Sequence, residues 1–441
     1  MGNRRALIPL LAALAVACGA ARAAERYDPA EVLHRATRKL AARYRSLPRY
    51  ICTETVERSY FRPAGWSDIA KPCATILKQR KAPTPDMVLK PFFTDRLRLD
   101  VAIADANEIY SWAEASRFED TGIDKVVTEG PFGTGGFAGL LDVVFLGDPK
   151  TFTFEQRLST DRGELLEYAF HVAREDSHYT VKANDAWAAV AYGGTVQIDP
   201  VSGDAVRLRI DTTAMPPGGG CQIDTGAEFG EVPIGPAPLL LATQFQQRFV
   251  YSNGNEVENT ARLANCREYT AESTVSFGES ETPIAAGGNA TRLAPRLPAD
   301  LPFTLELLEP IDTDQAAAGD SFRARLVEPL RDKKGKTLVR GGSIVEGRLL
   351  SVTNYHRLPP ESTLVMQPRA VWSNGVKVPL QANRDWTPVW KPFASKPKAP
   401  RVLMPSPEQA PAGVFDFPGQ HVVVKKGFRS QWTTAGPKTK E

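Results

Sequence analysis

The run Gly193 to Asp211, GGTVQIDPVSGDAVRLRID, decides the fold. Two alternating segments, Thr195–Ile198 and Ala205–Ile210, flank a turn containing Asp199, Pro200, Gly203 and Asp204. Val196 and Ile198 point one way on the first segment. On the second, Val206, Leu208 and Ile210 alternate with Arg207, Arg209 and Asp211. A period of two broken by a Pro/Gly turn is a β-hairpin with one buried face, because successive strand side chains point to opposite sides. Similar segments lie on both sides. Upstream, Leu97, Leu99, Val101 and Ile103 share one face of Asp95–Ile103, and Glu108–Trp112 follows after a turn. Downstream, Gln244–Phe277 contains Ser252-Asn253-Gly254-Asn255, the strongest short hairpin signal in the chain. The hairpin is therefore one unit of a long antiparallel meander.

Two helices accompany this sheet. Asp28-Pro29-Ala30-Glu31 supplies an N-cap, a proline at the first helical position and an acid at the third. Leu33, Ala36, Leu40, Tyr44 and Leu47 then recur at helical spacing, with Arg35, Arg38, Lys39, Arg43 and Arg45 on the other face. That basic face reads as solvated, or as a site for anionic lipid or an acidic partner. The second helix follows the glycine-rich loop Gly130–Gly136 and carries Phe137, Leu140, Leu141, Val144 and Phe145 at i, i+3, i+4, i+7 and i+8. The loop lacks both glycine-rich phosphate signatures, so the helix is expected to pack over the sheet, with Gly133, Gly135 and Gly136 as a hinge. Residues 62–91 form an excursion with prolines and a basic run, Lys78 to Lys81.

Composition sets the compartment. Residues 1–23 read as a secretory signal: Arg4 and Arg5, an apolar stretch from Ala6 to Ala17, and the A-x-A site Ala21-Arg22-Ala23. Ala15-Val16-Ala17-Cys18 also resembles a lipobox lacking its usual leucine, in which case Cys18 would be acylated and would attach the chain to a membrane. The chain has 54 Lys+Arg and 51 Asp+Glu; removing Arg4, Arg5 and Arg22 leaves 51 against 51. A neutral chain lacks the electrostatic footprint of a nucleic-acid binder. The expected location is periplasmic or extracellular. There, Cys52, Cys73, Cys221 and Cys266 are expected as disulfides. Of three connectivities the local one, Cys52–Cys73 with Cys221–Cys266, is the expectation.

Residues 24–284 are expected to make the first domain, 285–300 a Gly/Pro linker, and 301–441 a second domain. The second alternates again in FTLELLEPI, FRARLVEPL and SIVEGRLLSV, which points to a small β-barrel or sandwich with a Pro-rich insertion at 387–413. The fold class is mainly β: a half-open antiparallel barrel or curved sheet with covering helices, then the small β domain.

No catalytic signature stands out. No G-x-S-x-G surrounds Ser343, and the pairs Glu119–Asp120 and Glu164–Glu167 are what acidic strand edges ordinarily produce. His171 and His178 flank a short loop and would share a sheet face if Ala173 paired with His178, but no third ligand is evident, so no metal and no cofactor are expected. Tyr110, Trp112, Trp187 and Tyr192 read as core, rim or pocket residues.

The segments Leu40–Phe61, Asp95–Trp112 and Gly194–Leu208 together resemble the periplasmic lipoprotein-carrier fold (LolA/LolB/RseB-like) across most of residues 28–277. That resemblance implies an incomplete barrel around an apolar cavity for acyl chains or lipidated peptides. The long excursion and the four cysteines depart from the family's plain pattern. The runs DRLRLDVA, IYSW and CREY also resemble uncharacterised secreted bacterial proteins. Gly319–Val327 with Leu338–Gly347 resembles part of a TrbI-like envelope β-barrel, which implies contacts with envelope proteins. The expectation is an exported, non-enzymatic binding protein. Its ligand face would comprise Leu97, Leu99, Val101, Val206, Leu208 and Ile210, covered by Phe137, Leu140, Leu141 and Val144. A secreted hydrolase and a purely structural envelope scaffold are the alternatives.

Overall fold

The computed structural model describes residues 27–45, 47–104, 107–115, 118, 123–127, 130–133, 136, 139–161, 163–183, 186–234, 237–269, 297–384 and 411–436. The signal sequence, Cys18, Phe137, Gly135, residues 285–296 of the linker and residues 387–410 of the Pro-rich insertion lie outside them. Among the described residues no helix is long and apolar enough to cross a membrane.

The chain is mainly β. After α1 (Pro29–Arg45), twelve strands form the first part: β1 (Tyr50–Pro63), β2 (Leu89–Ala104), β3 (Asn107–Trp112), β4 (Thr153–Thr160), β5 (Gly163–Val172), β6 (Thr180–Ala183), β7 (Ala186–Ala189), β8 (Ala191–Ile198), β9 (Ala205–Thr213), β10 (Gln222–Ile234), β11 (Ala237–Val250) and β12 (Glu256–Glu268). Among the described residues three short α-helices interrupt them: α2 (Cys73–Lys81), α3 (Ile123–Val126) and α4 (Gly139–Asp142), the last continued by a π turn, Val143–Gly147. Antiparallel pairing runs β4–β5–β8–β9–β10–β11–β12–β1–β2–β3, with β6–β7 as a separate hairpin. Here β3 and β4 are the two edges, so the sheet curves without closing.

The quoted hairpin is β8–β9, and Val196, Ile198, Leu208 and Ile210 are buried at its centre. Val206 is not among them. A register shift between Gln197 and Ile198 pairs Ile198 with Ala205, so Ala205 is buried and Val206 leaves the core face. Helix α1 lies inside the curve, with Val32, Ala36 and Leu40 buried and Asp28 capping it through Oδ1 to the Ala30 N–H at 2.9 Å. Its basic face is partly occupied. Arg35 donates to the Pro200 carbonyl, Lys39 reaches Ser202 O at 3.0 Å and Asp204 at 2.9 Å, and Arg43 reaches Asp204 at 2.5 Å. The turn of the central hairpin thus docks the helix.

The disulfides are Cys52–Cys266 and Cys73–Cys221, which overturns the local pairing expected from sequence. The reason is topological. Strand β1 pairs along its length with β12, the last strand of the meander, which brings Cys52 beside Cys266. The excursion folds as α2 over the start of β10 and the end of β11, where Ile76, Cys221 and Val250 pack together with Cys73 beside them. Arg80 of α2 is held there by Asp224 at 2.7 Å and Glu256 at 3.2 Å.

The C-terminal strands are β13 (Pro302–Leu307), β14 (Ile311–Asp312), β15 (Ser321–Leu326), β16 (Leu330–Arg331), β17 (Thr337–Val339), β18 (Ile344–Tyr355), β19 (Glu361–Ser373), β20 (Val376–Pro379), β21 (Ala382–Asn383), β22 (Gly413–Pro418), β23 (Val423–Val424) and β24 (Arg429–Thr434). Their principal order is β21–β24–β13–β15–β18–β19–β22, an antiparallel sheet that, like the first, does not close into a barrel. A separate apolar cluster, including Leu305, Leu326, Leu349, Leu364 and Trp432, lies within it.

The two sheets are joined. Strand β18 forks from β15 and ends against β2, pairing Thr353 with Asp95 and Tyr355 with Phe93. Beside this junction Ala318 is buried in the first core and exchanges backbone bonds with Arg96 O (2.8 Å) and Arg98 N (2.7 Å). Gly319 has φ +105°, and a Cβ there would sit 2.2 Å from the Arg98 carbonyl, so only glycine allows this approach. Arg98 completes the seam with Asp320 at 2.5 Å.

Candidate functional site

Inside the curve, α1, α4 and the π turn fill one side. Leu140, Leu141, Val144 and Phe145 are buried in the main cluster with Leu97, Leu99, Val101, Leu208 and Ile210. A cavity of about 660 Å³ opens beside this plug. Of the residues expected from sequence to line a ligand site, Leu140 faces this cavity; Leu141 and Val144 are buried on the plug itself, Leu97, Leu99, Val101, Leu208 and Ile210 are core beneath it, and Val206 lies off the core face. Gly133 and Gly136, read as hinge positions, allow close packing. A Cβ on Gly133 would meet Gln247 Oε1 at 1.8 Å, and one on Gly136 would meet the Phe245 ring at 2.7 Å.

Most of the cavity wall comes from four places, with Ile123 and Val127 at α3 and the Gly218–Gly219 loop beside them. Strands β10 and β11 give Ile223, Gln247 and Phe249; the plug gives Leu140 and Val143; the segment Gly130–Gly133 gives Phe132; and the β6–β7 hairpin with its approach gives His178 to Lys182 and Trp187. Trp187 is 55% exposed at the rim. The described lining contains Lys182 and His178 but no Asp or Glu. The wall thus mixes apolar and polar surface in comparable measure, at a volume within the range of roughly 300–1,000 Å³ usual for small-molecule sites.

The approach to the β6–β7 hairpin is anchored by a buried carboxylate. Asp148, just after the π turn, accepts from the His178 backbone N–H at 3.1 Å and the Tyr192 hydroxyl at 2.8 Å, and its Oδ1 lies 2.5 Å from His178 Nδ1. The histidine pair therefore separates. His178 turns to Asp148 while His171 is exposed on β5. Among the described residues no group of three or more His, Cys, Asp and Glu side chains stands ready for a metal. Tyr110 and Tyr192 are core residues, and Trp112 packs against the core.

A second feature was not anticipated from sequence. Thr225, Gln247, Asn259, Arg58 and Asp95 are direct neighbours across β10, β11, β12, β1 and β2, so they form one polar row on the inner face. The row continues across the seam through Thr353 and Thr363 to Asp416. Arg58 is 4% exposed and grips Asp95 with two bonds, 2.6 and 2.7 Å. Tyr179 OH meets Thr225 Oγ1 at 3.1 Å, and burial pushes that phenol's pKa up. Asn259 Nδ2 donates to the Pro131 carbonyl at 2.9 Å. Two buried acceptors of the row, Gln247 Oε1 and Asn259 Oδ1, have no hydrogen-bond partner among the described residues. The signal was present: each of these residues continues the buried alternation of its strand, as in Phe245, Gln247 and Phe249, or Val257, Asn259 and Ala261. On β1 the same alternation (Tyr50, Cys52, Glu54, Val56, Arg58) carries two charged residues on the inner face, and all five are buried.

A smaller cavity of about 420 Å³ lies beyond Gly130 and Pro131, lined by Tyr60, Phe92, Phe93 and Tyr251. Arg62 lies there over the Phe92 ring at 3.5 Å and Trp66 at 4.5 Å. The Gly130–Gly133 segment thus runs between two cavities. No protein-family model and no curated protein matches this chain.

Proposed function

We propose that the chain is an exported, non-enzymatic binding protein of the bacterial cell envelope whose half-barrel holds an apolar ligand, such as an acyl chain or the acylated end of a partner. One observation carries the reading: a cavity of about 660 Å³, with Phe132, Leu140, Val143, Ile223 and Phe249 in its wall, remains inside the sheet although a plug helix already fills the curve beside it. The described residues of the wall include Lys182 and His178 and no carboxylate, which favours an anionic end on that ligand. Two disulfides suit an oxidising compartment. The C-terminal sheet is the docking part of the proposal, with Trp372 and Val376 exposed on its β19–β20 hairpin for contact with an envelope protein.

The test is titration with a fluorescent fatty acid, together with native mass spectrometry of protein from an exporting host. Saturable binding is expected. Because Trp187 is exposed, Trp187→Ala should weaken binding several-fold without altering unfolding. Absence of both saturable binding and co-purified lipid would remove the carrier reading.

A further inference from the structure

We propose that the end of the molecule built from the 62–91 excursion and the turn between β18 and β19 (residues 356–360) docks on a membrane surface rich in anionic lipid. This docking does not depend on what the larger cavity holds.

Three separate segments come together around the smaller cavity, and each leaves an aliphatic side chain in solvent: Leu358 is 92% exposed, Ile69 72% and Val88 49%. Leu358 stands two residues beyond His356, whose N–H donates to the Phe92 carbonyl at 2.9 Å. The Val88 carbonyl accepts from the Ala64 N–H at 2.9 Å. Asp68 and Ala70, on either side of Ile69, line the cavity together with Arg62 and Phe92. One exposed aliphatic residue means little, but three on neighbouring segments make a patch of the kind that meets a membrane or a protein.

Charge selects between the two. Strands β1 and β2 set Arg62 directly opposite Lys90, and like charges so placed are destabilising. Neither makes an ion pair among the described residues, and Asp68 acts on Arg62 only through its charge. Residues 62–91 carry six Lys and Arg against Asp68 and Asp86. Of the six, Arg80 is taken by Asp224 and Glu256. A cation pair without counter-ions beside protruding aliphatic tips is complementary to an anionic bilayer. Lipid phosphates would neutralise Arg62 and Lys90 while Leu358, Ile69 and Val88 enter the headgroup–acyl boundary. Trp66, whose ring lies 4.5 Å from the Arg62 guanidinium, suits the headgroup level, where amphipathic rings collect.

The test is flotation of the unacylated chain from residue 24, both disulfides formed, with vesicles of phosphatidylcholine alone or mixed with phosphatidylglycerol. The mixed vesicles should be bound about tenfold more tightly, and high salt should remove most of that preference. Lys90→Gln should weaken binding to them about fivefold, the factor that ~1 kcal/mol per cation near the surface supplies. Leu358→Asp should weaken it roughly tenfold, because a charge replaces an inserted side chain. Both side chains are exposed, so folding is spared. Val201→Asp, at another exposed aliphatic residue on the turn of the central hairpin, should change nothing. Leu358→Asp should also keep whatever fatty-acid binding wild type has, so this docking and the carrier reading fail separately. Equal binding to the two vesicles would overturn the anionic surface. Failure to bind either would overturn the docking and leave the patch to a protein partner. Binding that neither Lys90→Gln nor Leu358→Asp weakens would put the membrane contact elsewhere and overturn the proposal.

Discussion

The two sides of the first sheet are built from the same alternating strands and lined in opposite ways. Under α1 and α4, strands β5, β8 and β9 present Leu166, Tyr168, Phe170, Val196, Ile198, Leu208 and Ile210, all buried. Across the curve, β10, β11, β12 and β1 present Thr225, Gln247, Asn259, Glu54 and Arg58 in the same inward register. The apolar side is closed by helices, because apolar surface is satisfied by contact alone. The polar side cannot be closed that way, since each buried donor or acceptor needs a specific partner. There the covering is a short backbone segment, with a cavity on either side of it.

The sharpest break of this comparison is on the apolar side. Leu208→Ala leaves a void among residues that cannot collapse around it, and a loss of roughly 2–5 kcal/mol is expected by urea unfolding. A loss under 1 kcal/mol would mean that the side under the helices is as loosely filled as the other.

The polar side should respond with the opposite sign. Glu54 is 1% exposed, its Oε2 has no partner, and burial, then the nearby Glu108 charge, holds its pKa well above the ordinary 4.5. The folded state therefore binds the Glu54 proton more tightly than the unfolded state does. Its stabilising contribution is complete below the ordinary carboxylate range and is lost as pH rises through the raised value. Glu54→Gln should stabilise by about 1–3 kcal/mol at neutral pH, the usual cost of a buried group without its partner. That gain should shrink towards zero at pH 4. An equal gain at pH 4 and pH 8 would show that the carboxylate charge is not its source.

The smallest effect belongs to the surface contact that docks α1. Asp204 takes both Lys39 and Arg43 at the half-exposed turn of the central hairpin. Such pairs are worth under about 1 kcal/mol and are screened by salt. Asp204→Asn should cost less than that in low salt and almost nothing in 1 M NaCl. A larger, salt-independent loss would make the turn, rather than the apolar face of Val32, Ala36 and Leu40, the anchor of the helix.

By itself the sequence determined the local elements. The alternation around Val196 and Leu208, the Asn253-Gly254 turn and the capped start at Asp28 each act over a few residues, and strand and helix periods are local properties. It also carried the class of the chain, since repeated hairpin patterns allow little but an antiparallel sheet. The disulfide partners were decided by tertiary structure, because they depend on β12 returning to β1 across more than two hundred residues, which no local pattern encodes. Val206 was lost from the core face to a one-residue register shift that only the pairing of β8 with β9 creates. The polar row is the clearest case. Gln247 and Asn259 are ordinary strand residues in the sequence, and they join one buried polar row only when β11 and β12 lie side by side with Pro131 folded against them. Burial and partnership are properties of neighbours, and a single sequence does not name the neighbours of a strand.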